Sequence, residues 1–195
     1  MLVALVASLL AYFVGSVSAA ILVCKAMGLP DPRSDGSGNP GATNVLRLGG
    51  KKPAAMTLVG DMAKGLLPVA IANALTDDTA IIALVGLGAL LGHVYPIFFE
   101  FKGGKGVATA FGVTFGFHPL AGLFAAVCWG LSARLFKRSS LAALITFTLL
   151  PLFWLWKNEP SYALLSVMIA AMLYYTHRSN VQRLLQGNEP TIGKR

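Results

Sequence analysis

From Leu2 to Val23 the chain runs 22 residues without a charged side chain. As a helix rising about 1.5 Å per residue, such a run reaches roughly 33 Å, enough to cross the hydrocarbon core of a bilayer. The pattern repeats at Pro53–Leu75, Thr79–Phe99, Val107–Phe117, Pro119–Phe136, Ser140–Trp156 and Ser161–Thr176. The middle two runs are shorter and are parted by the breaker "FHP". Only 12% of the residues are charged, against about 25% in soluble domains. These runs predict a single all-α integral membrane domain over residues 1–195. They imply about seven transmembrane helices, or about five if the short segments are re-entrant or merged. "SVSAA" before Ile21 resembles a cleavage site, but the run is longer than a signal h-region and no basic n-region precedes it. Cys24 and Cys128 lie at or inside spans, without metal-ligand spacing and with no sign of a disulfide framework.

Charge placement orients the chain. With an odd number of crossings, the loops after the first, third and fifth runs and the tail after Thr176 share one side. Together with Arg134 at a helix end, they hold all 16 basic residues except Lys64 and Lys157, Lys194 and Arg195 included. The opposite loops hold Asp77, Asp78, Glu159 and Lys157. The positive-inside rule then puts the N-terminus outside and the C-terminus in the cytoplasm. The net charge of +8 is mostly topogenic. Spread over separate loops without a binding motif, it gives no reason to expect nucleic acid as a partner.

The cytoplasmic loops gather small residues, hydrogen-bond donors and cations. "FKGGKG" sets Lys102 and Lys105 around Gly103 and Gly104, with Gly106 after them, just before a predicted helix. Glycines let backbone N–H groups converge, and lysines and a helix N-terminus favour an anion. A basic topogenic loop with a flexible turn reads similarly, and no Walker pattern is present. "DGSGNPGATNVLR" supplies Ser37, Asn39, Thr43, Asn44 and Arg47. Arg47 is suited to a bidentate phosphate clamp, although a flexible linker has the same composition. In the tail, His177, Arg178 and Asn180 meet the membrane edge. Val181, Leu184 and Leu185 then recur at helical spacing, as in an interfacial amphipathic helix ending near Gly187. Asp61 and Lys64 lie inside a span at i, i+3 and can pair, either as structural support or as a substrate contact. His93 at a helix end reads as packing before ligand contact, and His118 as a turn residue. No His-x-x-x-x-Asp follows any of the 3 histidines, and no metal-ligand cluster appears.

Three motifs in order resemble the PlsY family of bacterial membrane glycerol-3-phosphate acyltransferases that use acyl phosphate. They are "SGNPGATNVLR" (37–47), "GHVYPIFFEFKGGKGVAT" (92–109) and "HRSNVQRLLQGNE" (177–189), supported by "DMAKG" (61–65) and "SSL" (139–141). The resemblance runs nearly end to end. It implies transfer of a fatty acyl group from acyl phosphate to the 1-hydroxyl of glycerol 3-phosphate, giving lysophosphatidic acid and phosphate. It further implies a bacterial inner-membrane location, no cofactor or metal, and a soluble enzyme supplying acyl phosphate as partner. By the same resemblance Ser37, Arg47, His177 and Asn180 are catalytic, and Lys102 to Gly106 hold glycerol 3-phosphate. Ser140 completes the site and Glu189 supports structure.

That chemistry suits the residues. Acyl phosphate is a mixed anhydride with a good leaving group, so positioning and charge stabilisation suffice. The proton of the attacking hydroxyl can pass to His177 or to the donor phosphate. The phosphate is favoured, because no carboxylate is placed to orient a histidine base. The rival reading is a small phosphate or anion transporter. It would carry repeats with broken helices meeting at the midplane, and neither is evident.

Overall fold

In hydrocarbon each backbone N–H and C=O must find its partner inside the protein, which confines the apolar runs to helices. The computed structural model describes residues 1–192, so Lys194 and Arg195 lie outside the described residues. Among the described residues it is all-helical, with no strand. The helices are α1 (Leu2–Gly15), α2 (Ala19–Ala26), α3 (Ala42–Gly49), α4 (Lys51–Leu75), α5 (Thr79–Val94), α6 (Val107–Phe117), α7 (Pro119–Phe136), α8 (Ser139–Trp156), α9 (Pro160–Thr176) and α10 (Arg178–Leu185). Five segments are long and apolar enough to cross a membrane: Leu2–Ala26, Lys51–Leu75, Thr79–Phe99, Pro119–Phe136 and Ser139–Trp156. Val107–Phe117 and Pro160–Thr176 are shorter apolar helices.

The first run departs from the expected unbroken helix. Its backbone turns at Ser16–Ser18, between α1 and α2. The Ile21 N–H, which in a continuous helix would bond the Val17 carbonyl, is taken instead by the Ser18 hydroxyl at 3.4 Å. The freed Val17 carbonyl accepts from Lys64 Nζ of α4 at 2.8 Å. Lys64 also pairs with Asp61 at 2.9 Å, both side chains being buried. The intramembrane charges therefore repair a broken span.

Around this point the helices pack closely. α4 lies along α6, and α1 along α5, while α8 is flanked by α7 and α9. Backbone meets backbone between α4 and α6: a Cβ on Gly112 would stand 2.0 Å from the Met62 carbonyl oxygen. The main core gathers Val69, Ile82, Leu90, Val113, Phe147, Leu150, Ile169 and Leu173. With only 11 residues, α6 rises about 16 Å, half of the hydrocarbon thickness. Its last carbonyls, Gly116 and Phe117, accept from Asn73 Nδ2 at 3.2 and 3.1 Å, and His118–Pro119 turns the chain into α7.

Replacing Lys64 with Met should cost about 3–5 kcal/mol, because it leaves a buried carboxylate without its cation. The Asp61→Asn/Lys64→Met double variant should recover part of the lost thermal midpoint in detergent. A double variant less stable than Lys64→Met would refute the pairing.

Candidate active site

The segment between α2 and α3 is ordered by one buried amide. Asn44 Oδ1 accepts the Ser37 N–H at 2.8 Å, and its Nδ2 donates to the Pro32 and Asp35 carbonyls at 2.9 and 3.0 Å. Gly36 passes directly over this amide with φ of +63°, where a Cβ would stand 2.3 Å from Asn44 Oδ1. Asn44 thus spends its bonds inside the loop. Ser37 is exposed on the loop, and Thr43 is half-buried in the first turn of α3. Arg47, near the end of α3, keeps a buried Nε with no protein partner.

The loop between α5 and α6 presses onto the end of α5. Glu100 and Phe101 take left-handed conformations, φ 56° and 58°, turning the chain back so that the Gly104 N–H donates to the His93 carbonyl at 3.1 Å. From the other side, Thr176 Oγ1 donates to the Lys105 carbonyl at 2.9 Å. Lys102 points outward, exposed and paired with Glu100 at 2.9 Å. Lys105 points inward, and its Nζ donates to Asn180 Oδ1.

Behind Lys105 lies a buried polar network. Glu189 Oε1 accepts from Ser140 Oγ and from Asn180 Nδ2, each at 2.6 Å. Its Oε2 accepts from Arg183 Nε at 2.8 Å, and its carbonyl from Arg138 Nε at 3.1 Å. One carboxylate therefore joins α8, α10 and the tail, and Asn180 passes that connection to Lys105. Although Glu189 is buried, these donors hold its carboxyl below the usual range. Burial pushes Lys105 down to about 8, helped by the nearby charges of Arg183 and Arg47 and opposed by Glu189. His177 is 3% exposed, with Nδ1 2.8 Å from the Leu173 carbonyl. That carbonyl can only accept, so Nδ1 carries the proton and Nε2 the lone pair. Burial brings His177 down to about 4, with Lys105 lowering it further.

A cleft of about 290 Å³ opens beside this network, lined by Asn39, Lys102, Lys105 and Arg178 together with the rings of Tyr95 and Tyr175. Arg178 lies over the Tyr175 ring at 4.8 Å. A second cleft of about 320 Å³ is lined by Asp31, Arg33, Ser34, Glu100 and Lys102. Its cations are already paired, Arg33 with Asp31 at 2.7 Å and Lys102 with Glu100, so the first cleft is the better anion site.

Of the residues singled out in the sequence, Lys105, Asn180, Ser140 and Glu189 form one connected group, and His177 and Arg47 lie within the field of Lys105. Asn39 and Gly103–Gly104 line the cleft. Gly106, at φ +89°, turns the chain into α6. Ser37 does not line the cleft. Asp61 and Lys64 support the helices, with His93 linking them to the glycine loop. Sequence reasoning passed over Arg183, Arg138 and Thr176. Asn180 and Arg183 share a helix face at i, i+3, a visible signal, but their common partner Glu189 lies beyond the helix end.

The family model for glycerol-3-phosphate acyltransferase matches residues 5–187. The chain is similar to the glycerol-3-phosphate acyltransferase of Methylococcus capsulatus, with 49% identity over 94% of this chain and 93% of that protein. It is also similar to that of Thioalkalivibrio sulfidiphilus, with 52% identity over 95% and 92%. Two crystal structures of PlsY, an integral membrane glycerol 3-phosphate acyltransferase, share its fold. The glycerol 3-phosphate form aligns with a TM-score of 0.92 at 38% identity, over 96% of this chain and 94% of that one. The lysophosphatidic acid form aligns with 0.87 at 39% over the same shares. A match across nearly the whole chain, in sequence and in fold, shows that this protein belongs to the glycerol-3-phosphate acyltransferase family.

Proposed function

We propose that the protein transfers a fatty acyl group from acyl phosphate to the 1-hydroxyl of glycerol 3-phosphate, releasing lysophosphatidic acid and inorganic phosphate. The observation that carries this reading is the gathering of cations at Lys105, with Arg183 and Arg47 near enough to act on its charge and the one carboxylate there, Glu189, already engaged by Ser140, Asn180 and Arg183. Cations gathered with so little protein charge to balance them suit two phosphate-bearing substrates.

The hydroxyl oxygen attacks the acyl carbonyl carbon, the carbon–oxygen bond to phosphate breaks, and the electron pair leaves with the phosphate. Lys105 and the backbone N–H groups of the glycine loop hold the phosphate of glycerol 3-phosphate, while Arg47 balances the charge that grows on the leaving group. Asn39 faces the substrates from the other loop, and Ser37 and Thr43 flank it there without lining the cleft. Asn180 keeps Lys105 aimed, through its bond to Glu189 and Ser140. In this buried site such charges are not weakened by water and need no rearrangement as the reaction proceeds. The hydroxyl proton goes to the departing phosphate. His177, held near 4 by burial, is too weak a base at neutral pH; its Nε2 orients the hydroxyl.

The chain acts as one multipass domain in the bacterial inner membrane, crossing about seven times with its N-terminus outside. Support comes from the bonds that tie the starts of α6 and α8 to the region after α9, as this topology expects of ends that share a face. Acyl phosphate arrives from a soluble enzyme at that face.

Purified protein given radiolabelled glycerol 3-phosphate should form lysophosphatidic acid with palmitoyl phosphate and not with acyl-CoA or acyl carrier protein. The absence of product with palmitoyl phosphate would sink the reading. His177→Ala should lower kcat by less than about 100-fold, since a true general base contributes 10²–10⁴. A dead enzyme that still binds glycerol 3-phosphate would make His177 the base.

Lys105 is charged below about 8 and neutral above it. kcat/KM for glycerol 3-phosphate should therefore fall as pH rises through that value. Lys105→Arg, which stays protonated, should remove this limb; a limb that persists belongs to another group. For orientation, a lone cysteine at exposed Ser34 should react with an impermeant thiol reagent only from the cytoplasm, and one at exposed Asn158 only from outside. The background for both would lack Cys24 and Cys128.

A further inference from the structure

The glycine loop lies against His93, with Val94, Pro96 and Pro40 also close to its two glycines. Gly104 N–H donates to the His93 carbonyl at 3.1 Å. A Cβ on Gly103 would stand 2.0 Å from that same oxygen, and one on Gly104 would stand 2.3 Å from His93 Nε2 and 2.8 Å from Cε1. The two glycines therefore let the loop close onto both the backbone and the ring of residue 93.

Behind the ring lies a buried ion pair. The ring Nδ1 faces Asp61 Oδ1 across 3.7 Å, Asp61 pairs with Lys64 at 2.9 Å, and all three side chains are at most 6% exposed. Lys64 in turn reaches the Val17 carbonyl. Contacts thus run from the loop through α5 and α4 to the break in the first span. Repairing that break needs only a donor at position 64. It does not require a histidine on α5 with one nitrogen toward the carboxylate and the other against Gly104. Packing alone would be met by an apolar side chain, without the cost of a polar ring in hydrocarbon.

We propose that His93 is a positioning residue for the phosphate-binding loop. Oriented through Nδ1 by Asp61, its ring sets how deeply Gly104, and with it Lys105, sits. It controls affinity for glycerol 3-phosphate and leaves the acyl-transfer step itself alone. This rests on the reading that residues 102–106 hold glycerol 3-phosphate.

The test is steady-state kinetics of the full chain in detergent, varying glycerol 3-phosphate and palmitoyl phosphate in turn. His93→Asn keeps an amide near the Nδ1 position, facing Asp61, and empties the space beside Gly104. KM for glycerol 3-phosphate should rise about tenfold or more, with kcat changed by less than about threefold and KM for palmitoyl phosphate unchanged. Gly104→Ala alone should raise the same KM, and the His93→Asn/Gly104→Ala pair should recover part of that loss, because without the ring the new methyl keeps only its contact with the Pro40 carbonyl at 2.9 Å. Unchanged KM values, a loss confined to kcat, or a double variant worse than either single one would overturn the inference. A rise in KM for palmitoyl phosphate instead would keep His93 as the seat of the loop but assign the loop to the other substrate. If His93→Asn does not fold, His93→Gln, which reaches Gly104 but loses the hold on Asp61, should give a smaller selective rise. An unchanged KM in that variant would also overturn the proposal.

Discussion

A backbone carbonyl left open in hydrocarbon has no water to turn to, and the Val17 carbonyl is such a group. Its donor is Lys64, and a lysine so deep requires a counter-charge, which Asp61 supplies. Asp61 in turn faces His93, and His93 carries the glycine loop on its carbonyl and ring. The break in the first span, the charges inside the second and the glycine loop are thus joined by one chain of contacts that begins at an otherwise unsatisfied acceptor.

The same scarcity of water shapes the site. In the loop before α6, Gly104 and Gly106 are buried while Phe101 and Lys102 stay exposed. Burial there draws the proton affinity of both Lys105 and His177 downward. Lys105 remains largely charged at neutral pH, whereas His177 is neutral, donates through Nδ1 to Leu173 and offers Nε2. Burial thus leaves the lysine a cation and the histidine neutral at neutral pH. Glu189 makes this depth tolerable: its two oxygens receive Ser140, Asn180 and Arg183, so the buried carboxylate is fully bonded and stays ionised.

Much of the architecture was readable in the chain. The helices Val107–Phe117 and Pro119–Phe136 begin and end where their apolar runs do, since a residue in hydrocarbon has no alternative to helix. The motifs around Lys105, Asn180 and Glu189 were readable as donors and charges. Their pairing was not, because Ser140 and Glu189 are 49 positions apart and nothing local links a serine at the start of one helix to a tail carboxylate. Asn44 reads as a ligand by type, yet its amide is taken up by Pro32, Asp35 and Ser37.

By itself the sequence determined the apolar helices, the uneven spread of charge along the chain and the kinds of polar group its loops carry, because hydrophobicity and charge act residue by residue. Only the tertiary structure decided that the first span breaks at Ser16–Ser18, that Lys105 points inward while Lys102 is spent on Glu100, and that His93 underlies the glycine loop. Those outcomes depend on which distant groups meet, and contact across a helix bundle is set by packing of the whole.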